Sequence, residues 1–422
     1  MLTDHEAAAL AQIDEAEVAR MLLELISIPS VTGSPAESEI QHLLAGWLER
    51  LGLEVDLWSM DLAELRADPG FPGAEAARDE AWGLVGYTAH GGDGPTLVLQ
   101  GHADVVPPGD PGAWDGDPFV PRVVGGDVVF GRGACDMKAG LVAHLAALAA
   151  VRASGVRLRG RVAVHFVVGE EDGGLGAFGT LRRGHTGDAC VITEPTAGTL
   201  ITANAGALTF RLTVPGKAAH ASSRDAGVSA VDAYVPLHRA LAALETARNR
   251  DPSPLMAEHP IPYALSVGTL RAGDWASSVP DLLVAEGRLG VRLDEEPAAA
   301  RAEFERCVAE VCAGDAWLRD HPVQVTWPGG QFASGRLADG HPLREVVADA
   351  VADVRGGARP RERGAPYGSD LRLYAGAGIP TLQYGPGDVR VAHSAQECVS
   401  LREVVEVARA LAVTVMRTVG VR

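Results

Sequence analysis

Cysteine is scarce in this sequence: there are five in 422 residues, an odd number, and none forms a CxxC pair. A disulfide framework and a cysteine-built zinc knuckle are therefore excluded, and the five read as small buried or surface thiols. No apolar run approaches the ~20 residues that a membrane span requires; the longest, GLVAHLAALAA from Gly140, is short and carries His144. A basic surplus is also missing. Lys and Arg number 37 against 55 Asp and Glu, a formal net charge of −18, and acids spread along the chain repel a polyanion such as nucleic acid. The first twenty residues are acidic and periodic where a secretory signal would be basic and then apolar, so the cytosol is the expected compartment. There is no GxxxxGK[ST], no GxGxxG opening a helix and no GxSxG. Nucleotide binding is disfavoured, as is a serine nucleophile, despite Ser222 and Ser223 beside His220.

What is present has a two-part organisation. The length exceeds the ~250–300 residues at which single cores stop growing. Over the first two hundred residues helical patterns alternate with short apolar runs, as a mostly parallel sheet flanked by helices requires. PTLVLQGHAD, RVAVHFVVGEE, DACVITEP and IPTLQYGPG read as its buried strands, and MKAGLVAHLAALAAVRASG as a helix between the first two. A different rhythm starts near Ala205. In ALTFRLTV and LLVAEGRLGVRL apolar and polar residues alternate strictly, the signature of a sheet with one wet face. With the helical pattern SAVDAYVPLHRALAALETAR after the first of these, an extended YALSVGTL before the second, a helical EPAAARAEFERCVAEVCAG after it and PVQVTW last, the order is βαββαβ, that of a ferredoxin-like domain. The expected fold class is thus α/β, with a catalytic domain over 1–204 and 329–422 and an inserted domain over 205–328.

The stretch VVGEEDGG, residues 167–174, poses the chemical question. An apolar run ends on Glu170, Glu171 and Asp172, and crowded like charges cost stability unless a cation sits among them. The ends of the four buried strands carry His102 with Asp104, Glu170 with Glu171, Glu194 and, past a glycine-rich loop, His393. Ligands in open α/β sheets gather where strands end. Asp136, in the glycine-flanked turn GRGACDMKAG, adds another acid. Two imidazoles and several carboxylates on one rim form a nitrogen and oxygen site suited to zinc, and to two ions if one carboxylate bridges. Spacing alone leaves open which of Glu170 and Glu171 is a ligand.

GHADVVPPG, GRGACDMKAG, GEEDGG, TEPT, GKAAHASSRDAGVSAV and GPGDVRVAHSAQE together resemble the di-zinc amidohydrolase family that contains acetylornithine deacetylase, succinyl-diaminopimelate desuccinylase, aminoacylase and the carboxypeptidase G type peptidases. The likeness runs in order over nearly the whole chain. It implies a zinc-peptidase-like catalytic domain with a lid and dimerisation domain inserted, and two divalent ions per chain, zinc or cobalt. It further implies that His102, Asp136 and Glu194 hold one ion while Asp136, Glu171 and His393 hold the other. Asp104 would then hydrogen-bond the far nitrogen of His102. Glu170 would be the general base, and His220, from the lid of a homodimer partner, would donate to the oxyanion.

For the substrate, the resemblance implies a small N-acyl amino acid. Glu194 stands where aminopeptidase and dipeptidase relatives tend to have aspartate, which favours a deacylase near acetylornithine deacetylase. Desuccinylase-like relatives carry an asparagine and an arginine in the lid where this chain has Ser277 and Gly290. Arg288, two residues before Gly290, is the candidate for holding a substrate carboxylate, with Ser369 and Arg372 of YGSDLR as further candidates. A carboxypeptidase or dipeptidase, a desuccinylase and an inactive metal-binding relative are the alternatives.

Overall fold

Four apolar stretches become four adjacent parallel strands. In the computed structural model, which describes all 422 residues, the strands Arg161–Val167, Thr96–His102, Ala189–Pro195 and Thr381–Gly385 lie side by side in that order. His102 pairs in register with Val167, and Leu99 with Val191. These strands are almost wholly buried, as they must be in a sheet covered by crossover helices, which explains why they read as continuous apolar runs and not as alternating ones. Antiparallel strands Glu54–Ser59 and Trp82–Tyr87 extend one side of the sheet, and Leu200–Asn204 joins the other.

This sheet belongs to the first of two units, formed by Met1–Thr202, Arg336–Arg363 and Leu373–Arg422. Its helices begin and end where local chemistry dictates. Asp14 accepts the N–H groups of Ala16 and Glu17 at the start of helix Glu15–Ile26, satisfying donors that the helix leaves free. At the other end, the buried amine of Lys138 donates to the carbonyls of Leu25 and Ile28 at 2.8 and 2.7 Å, satisfying acceptors that the helix end leaves free. The segment Ala134–Ala153 is longer and more apolar than its sequence suggested. Residues 134–138 wind into the helix Ala139–Ala153, and the whole is long and apolar enough to cross a membrane by length and composition. Almost all of it is buried within the protein, which makes it a core helix.

The second unit comprises Ala203–Gly335 and Gly364–Arg372. Its elements follow the βαββαβ order, with strands Gly206–Pro215, Leu265–Ala272, Leu282–Val291 and Gln324–Thr326 and helices Ala230–Arg248 and Pro297–Gly314. The sheet is antiparallel, with Leu265–Ala272 at one edge, then Leu282–Val291, Gly206–Pro215 and Gln324–Thr326. Along Gly206–Pro215, Leu208, Phe210, Leu212 and Val214 enter the core and their neighbours do not. The segment Gly364–Arg372 lies outside the expected 205–328. It is tied to this unit because the N–H of Ala205 donates to the carbonyl of Ala365 at 2.9 Å, and Arg288 donates to that of Pro366 at 3.1 Å. Partners so far apart in the chain leave no local sequence signal.

Candidate metal centre

All four parallel strands deliver functional side chains at the same end. His102 is the last residue of its strand, Glu194 lies near the end of Ala189–Pro195, Glu170 and Glu171 follow Arg161–Val167, and His393 follows Thr381–Gly385 by a loop. Asp136 comes from the turn before the core helix. Gly133 opens that turn at φ +81°, where a β-carbon would strike Val105 at 2.6 Å, so only glycine is unstrained there. Asp136 itself leaves helical geometry at φ −116°, ψ 95°.

The carboxylate of Asp136 is shared between two histidines. Its Oδ1 lies 3.2 Å from Nε2 of His102 and its Oδ2 3.3 Å from Nε2 of His393. His393 Nε2 is also 3.1 Å from Oε2 of Glu171, and His102 Nε2 is 3.8 Å from Oε1 of Glu194. Two sets of donors, His102 with Glu170 and Glu194 and His102 with Asp136 and Glu171, each bring one atom per residue within 4.8 Å of the others. His102, Asp136, Glu170 and Glu194 are buried, Glu171 is partly so, and His393 is half exposed.

Electrostatics show what this arrangement lacks. Burial alone would depress His102, but its hydrogen bond to Asp136 and the charges of Glu194, Asp104 and Glu170 prevail and raise its pKa well above the usual imidazole range. Hydrogen bonds to Asp136 and Glu171 push His393 up to about 11. Asp136 is held below the carboxylate range because its bonds to both histidines outweigh its burial. Glu171 is raised, by burial first and by Asp136 next. The rises of His102 and His393 report the negative charge gathered around them. Two divalent cations would offset the five acids Asp104, Asp136, Glu170, Glu171 and Glu194, and the nitrogen and oxygen donors suit zinc. The residues present fit such a pair.

Two further acids act on the backbone. Asp104, at 0% exposure, accepts the N–H of Glu170 on Oδ1 and that of Glu171 on Oδ2, both at 3.3 Å, and the hydroxyl of Thr32 at 2.9 Å. The expected bond from His102 to this carboxylate is replaced: Nδ1 lies 2.9 Å from the main-chain oxygen of Asp104 and 3.6 Å from its Oδ1. The carboxylate is turned instead toward the two glutamates. Asp172 accepts the N–H groups of Glu75 and Ala76 and a guanidinium N–H of Arg78, so it anchors the 69–79 loop. Sequence reading assigned no role to Asp172, nor to Arg132 and Glu397, an ion pair beneath Asp136. The available signal was a lone charge among small residues, in GRGACD and in AHSAQE.

The remaining candidates lie in the second unit. Nδ1 of exposed His220 accepts the N–H of Ser222 at 3.2 Å and lies 2.7 Å from the Ser222 hydroxyl, so Nε2 is the ring nitrogen that Ser222 does not engage. Arg288 is largely buried, gives Nη2 to the carbonyl of Pro366, and has a buried Nε with no protein acceptor; burial lowers its pKa. Ser369 is buried and its hydroxyl accepts the N–H of Leu371. Arg372 donates to the carbonyl of Ser369 at 2.7 Å and lies 3.9 Å from the ring centre of Phe332. Ser369 and Arg372 are engaged within the unit, whereas Arg288 retains donor capacity.

Comparison with known proteins gives consistent findings. A profile described as Peptidase family M20/M25/M40 matches residues 98–417. The chain is 30% identical to a succinyl-diaminopimelate desuccinylase of Leptothrix cholodnii over 388 residues, 89% of this chain and 92% of that protein. It is 26% identical to an N-formyl-4-amino-5-aminomethyl-2-methylpyrimidine deformylase of Bacillus subtilis over 417 residues, 92% of each. Among solved structures, an M20 family metallo-carboxypeptidase from Sulfolobus solfataricus superposes with a TM-score of 0.76 at 14% identity, covering 94% of this chain and 98% of that one.

Proposed function

The chain belongs to peptidase family M20/M25/M40, a metal-dependent hydrolase of amides or peptides, and from that premise we propose that it deacylates a small N-acylated amino acid. The observation that carries this reading is the single carboxylate of Asp136 divided between His102 and His393, a donor arrangement suited to two cations and hence to activating water. The named activities of the two relatives, removal of a formyl and of a succinyl group, favour an acyl amide as the bond cleaved. An acetylornithine type of substrate is the finer reading within that class.

In this mechanism His102, Asp136 and Glu194 would hold one ion, and Asp136, Glu171 and His393 the other, zinc or cobalt. Such ions would supply Lewis acidity toward water and the amide carbonyl. Glu170 takes the proton from the attacking water and returns it to the leaving amine. Its position depends on Asp104, whose carboxylate holds the main chain at both glutamates. His220 donates through Nε2 to the developing oxyanion from the partner chain of a homodimer. Dimerisation through the second unit is supported by its edge strand Leu265–Ala272, where Leu270 is exposed, and by exposed Val231 and Val235 on the helix Ala230–Arg248. Arg288 holds the substrate carboxylate.

A carboxypeptidase or dipeptidase would use the same groups, with Arg288 on a peptide C-terminus. That reading rests on likeness to solved structures at low identity, which speaks to fold. The deciding experiment is a turnover panel of N-acetyl, N-succinyl and N-formyl amino acids and of dipeptides, with zinc or cobalt supplied. Faster turnover of dipeptides would overturn the deacylase reading, and metal uptake without any turnover would indicate an inactive relative.

A further inference from the structure

Glu397 lies four residues beyond His393, and its side chain is wholly out of solvent. Its Oε1 accepts the main-chain N–H groups of Cys135 and Asp136, each at 3.2 Å, and its Oε2 accepts Nη1 of Arg132 at 2.5 Å. Arg132, 2% exposed, gives Nη2 to the carbonyl of Pro107 at 3.4 Å and packs 5.1 Å from the ring centre of Trp114. One buried ion pair thus ties together the segment after His102, the turn bearing Asp136 and the loop bearing His393.

From this we infer that Glu397, backed by Arg132, is a positioning residue for the metal pair. It fixes the main chain at Asp136 so that the carboxylate divides its oxygens between His102 and His393. Neutralising Arg132 would need only one of its oxygens. The other receives two N–H groups, and one of these belongs to Asp136 itself. The neighbouring N–H groups of Ala134 and Lys138 go to the carbonyls of Gly131 and Gly133, whereas those of Cys135 and Asp136 turn to this side chain. They do so where the chain leaves helical geometry, so the side chain substitutes for the helix ladder at the residue whose aim matters most. Groups that orient metal ligands from behind typically govern affinity or activity by ~10–100-fold.

The inference rests on the two-ion reading above. Its test compares wild type with Glu397→Gln in the binding of Co²⁺ to metal-free protein, by calorimetry and by the visible absorption of the bound ion. The amide keeps the shape, but its oxygen can serve either Arg132 or the two N–H groups, since its other end donates. The expected result is a fall of about 10–100-fold in affinity for at least one ion, an altered cobalt spectrum, and a lowered kcat at near-unchanged KM. Arg132→Lys should do the same more mildly, and Glu397→Asp, which keeps the charge, should recover part of the loss. Val407→Ala, a truncation in the core helix Leu401–Val419, should retain wild-type cobalt affinity and spectrum at a comparable loss of melting temperature. If Glu397→Gln does not fold, Arg132→Lys and Glu397→Asp carry the same comparison. Unchanged cobalt affinity and spectrum, or equal weakening by Val407→Ala, would overturn the inference alone. A wild-type protein that takes up a single ion would overturn the two-ion reading, and this inference with it.

Discussion

Nη2 of Arg78 lies 3.1 Å from Oδ1 of Asp172, with side-chain exposures of 1% and 6%. Glu37, the other acid near Arg78 at 3.7 Å, is pushed up to about 8 by burial and by the charge of Asp104. Near neutrality Asp172 is therefore the charge partner of Arg78. The three acids at the end of strand Arg161–Val167 divide their work: Glu170 and Glu171 face the site and Asp172 holds the loop 69–79 against it.

Asp172→Ala should accordingly harm stability more than metal content. It leaves Arg78 buried without its partner, a change that typically costs ~3–5 kcal/mol, and frees two N–H groups of the loop. Urea unfolding should show the loss, while elemental analysis of the folded fraction should match wild type. Loss of an ion at unchanged stability would mean that Asp172 is a ligand.

Glu170 and Glu171 should separate in the same assay. Glu170→Ala is expected to keep both ions and to lower kcat by ~10²–10⁴-fold, the range of general acid–base catalysis, whereas Glu171→Ala should lose an ion. Chelation should abolish activity reversibly and lower the melting temperature, since ions that bind only the folded state stabilise it. If both variants lose metal alike, Glu170 is a ligand and the base lies elsewhere.

The site was legible in the sequence where a residue's role follows from its own position. Parallel strands must be apolar on both faces, so their ends could be located, and with them His102, Glu170, Glu171, Glu194 and His393. Strict alternation revealed the antiparallel strands of the second unit in the same way. Roles that depend on a distant partner were hidden. Asp172 meets Arg78 across 94 positions and Arg132 meets Glu397 across 265, and the segment Gly364–Arg372 joins a unit whose first residue is Ala203. Asp104 shows the intermediate case: the family resemblance implied a supporting role for it, but only the folded chain reveals that its carboxylate holds the glutamate backbone and its carbonyl meets His102.

Two buried histidines away from the site make stability pH-dependent. Burial lowers His144 and His165 to about 3; each makes one hydrogen bond, to Thr193 and Tyr374, and leaves its other ring nitrogen without a partner. An unfolded histidine takes a proton near pH 6.5, so between about 6.5 and 3 the unfolded chain binds more protons. Their contribution is complete above pH 6.5 and is lost as pH falls through that window, by ~1.4 kcal/mol per pH unit for each histidine. In chelator, to keep metal ligands out of the comparison, the stability gap between wild type and His144→Gln should narrow by about that amount from pH 6 to pH 5. A gap that stays constant would show that His144 does not resist protonation in the fold.

The last test addresses His220 and the dimer together. Nδ1 of His220 is turned to the N–H and hydroxyl of Ser222, which leaves Nε2 as the nitrogen to meet an oxyanion. His220→Ala should keep both ions and lower kcat by ~10²–10³-fold, as loss of one oxyanion donor does. Glu170→Ala is inactive for a different reason. When the two variants exchange subunits, a mixed dimer has one site with an intact base from one chain and an intact histidine from the other. The second site of that dimer lacks both. Activity should therefore reappear on mixing two nearly inactive proteins, approaching half the wild-type rate per mixed dimer. If heterodimers form, verified by mass, and activity stays at the level of the parents, then His220 acts within its own chain or has no part in the reaction.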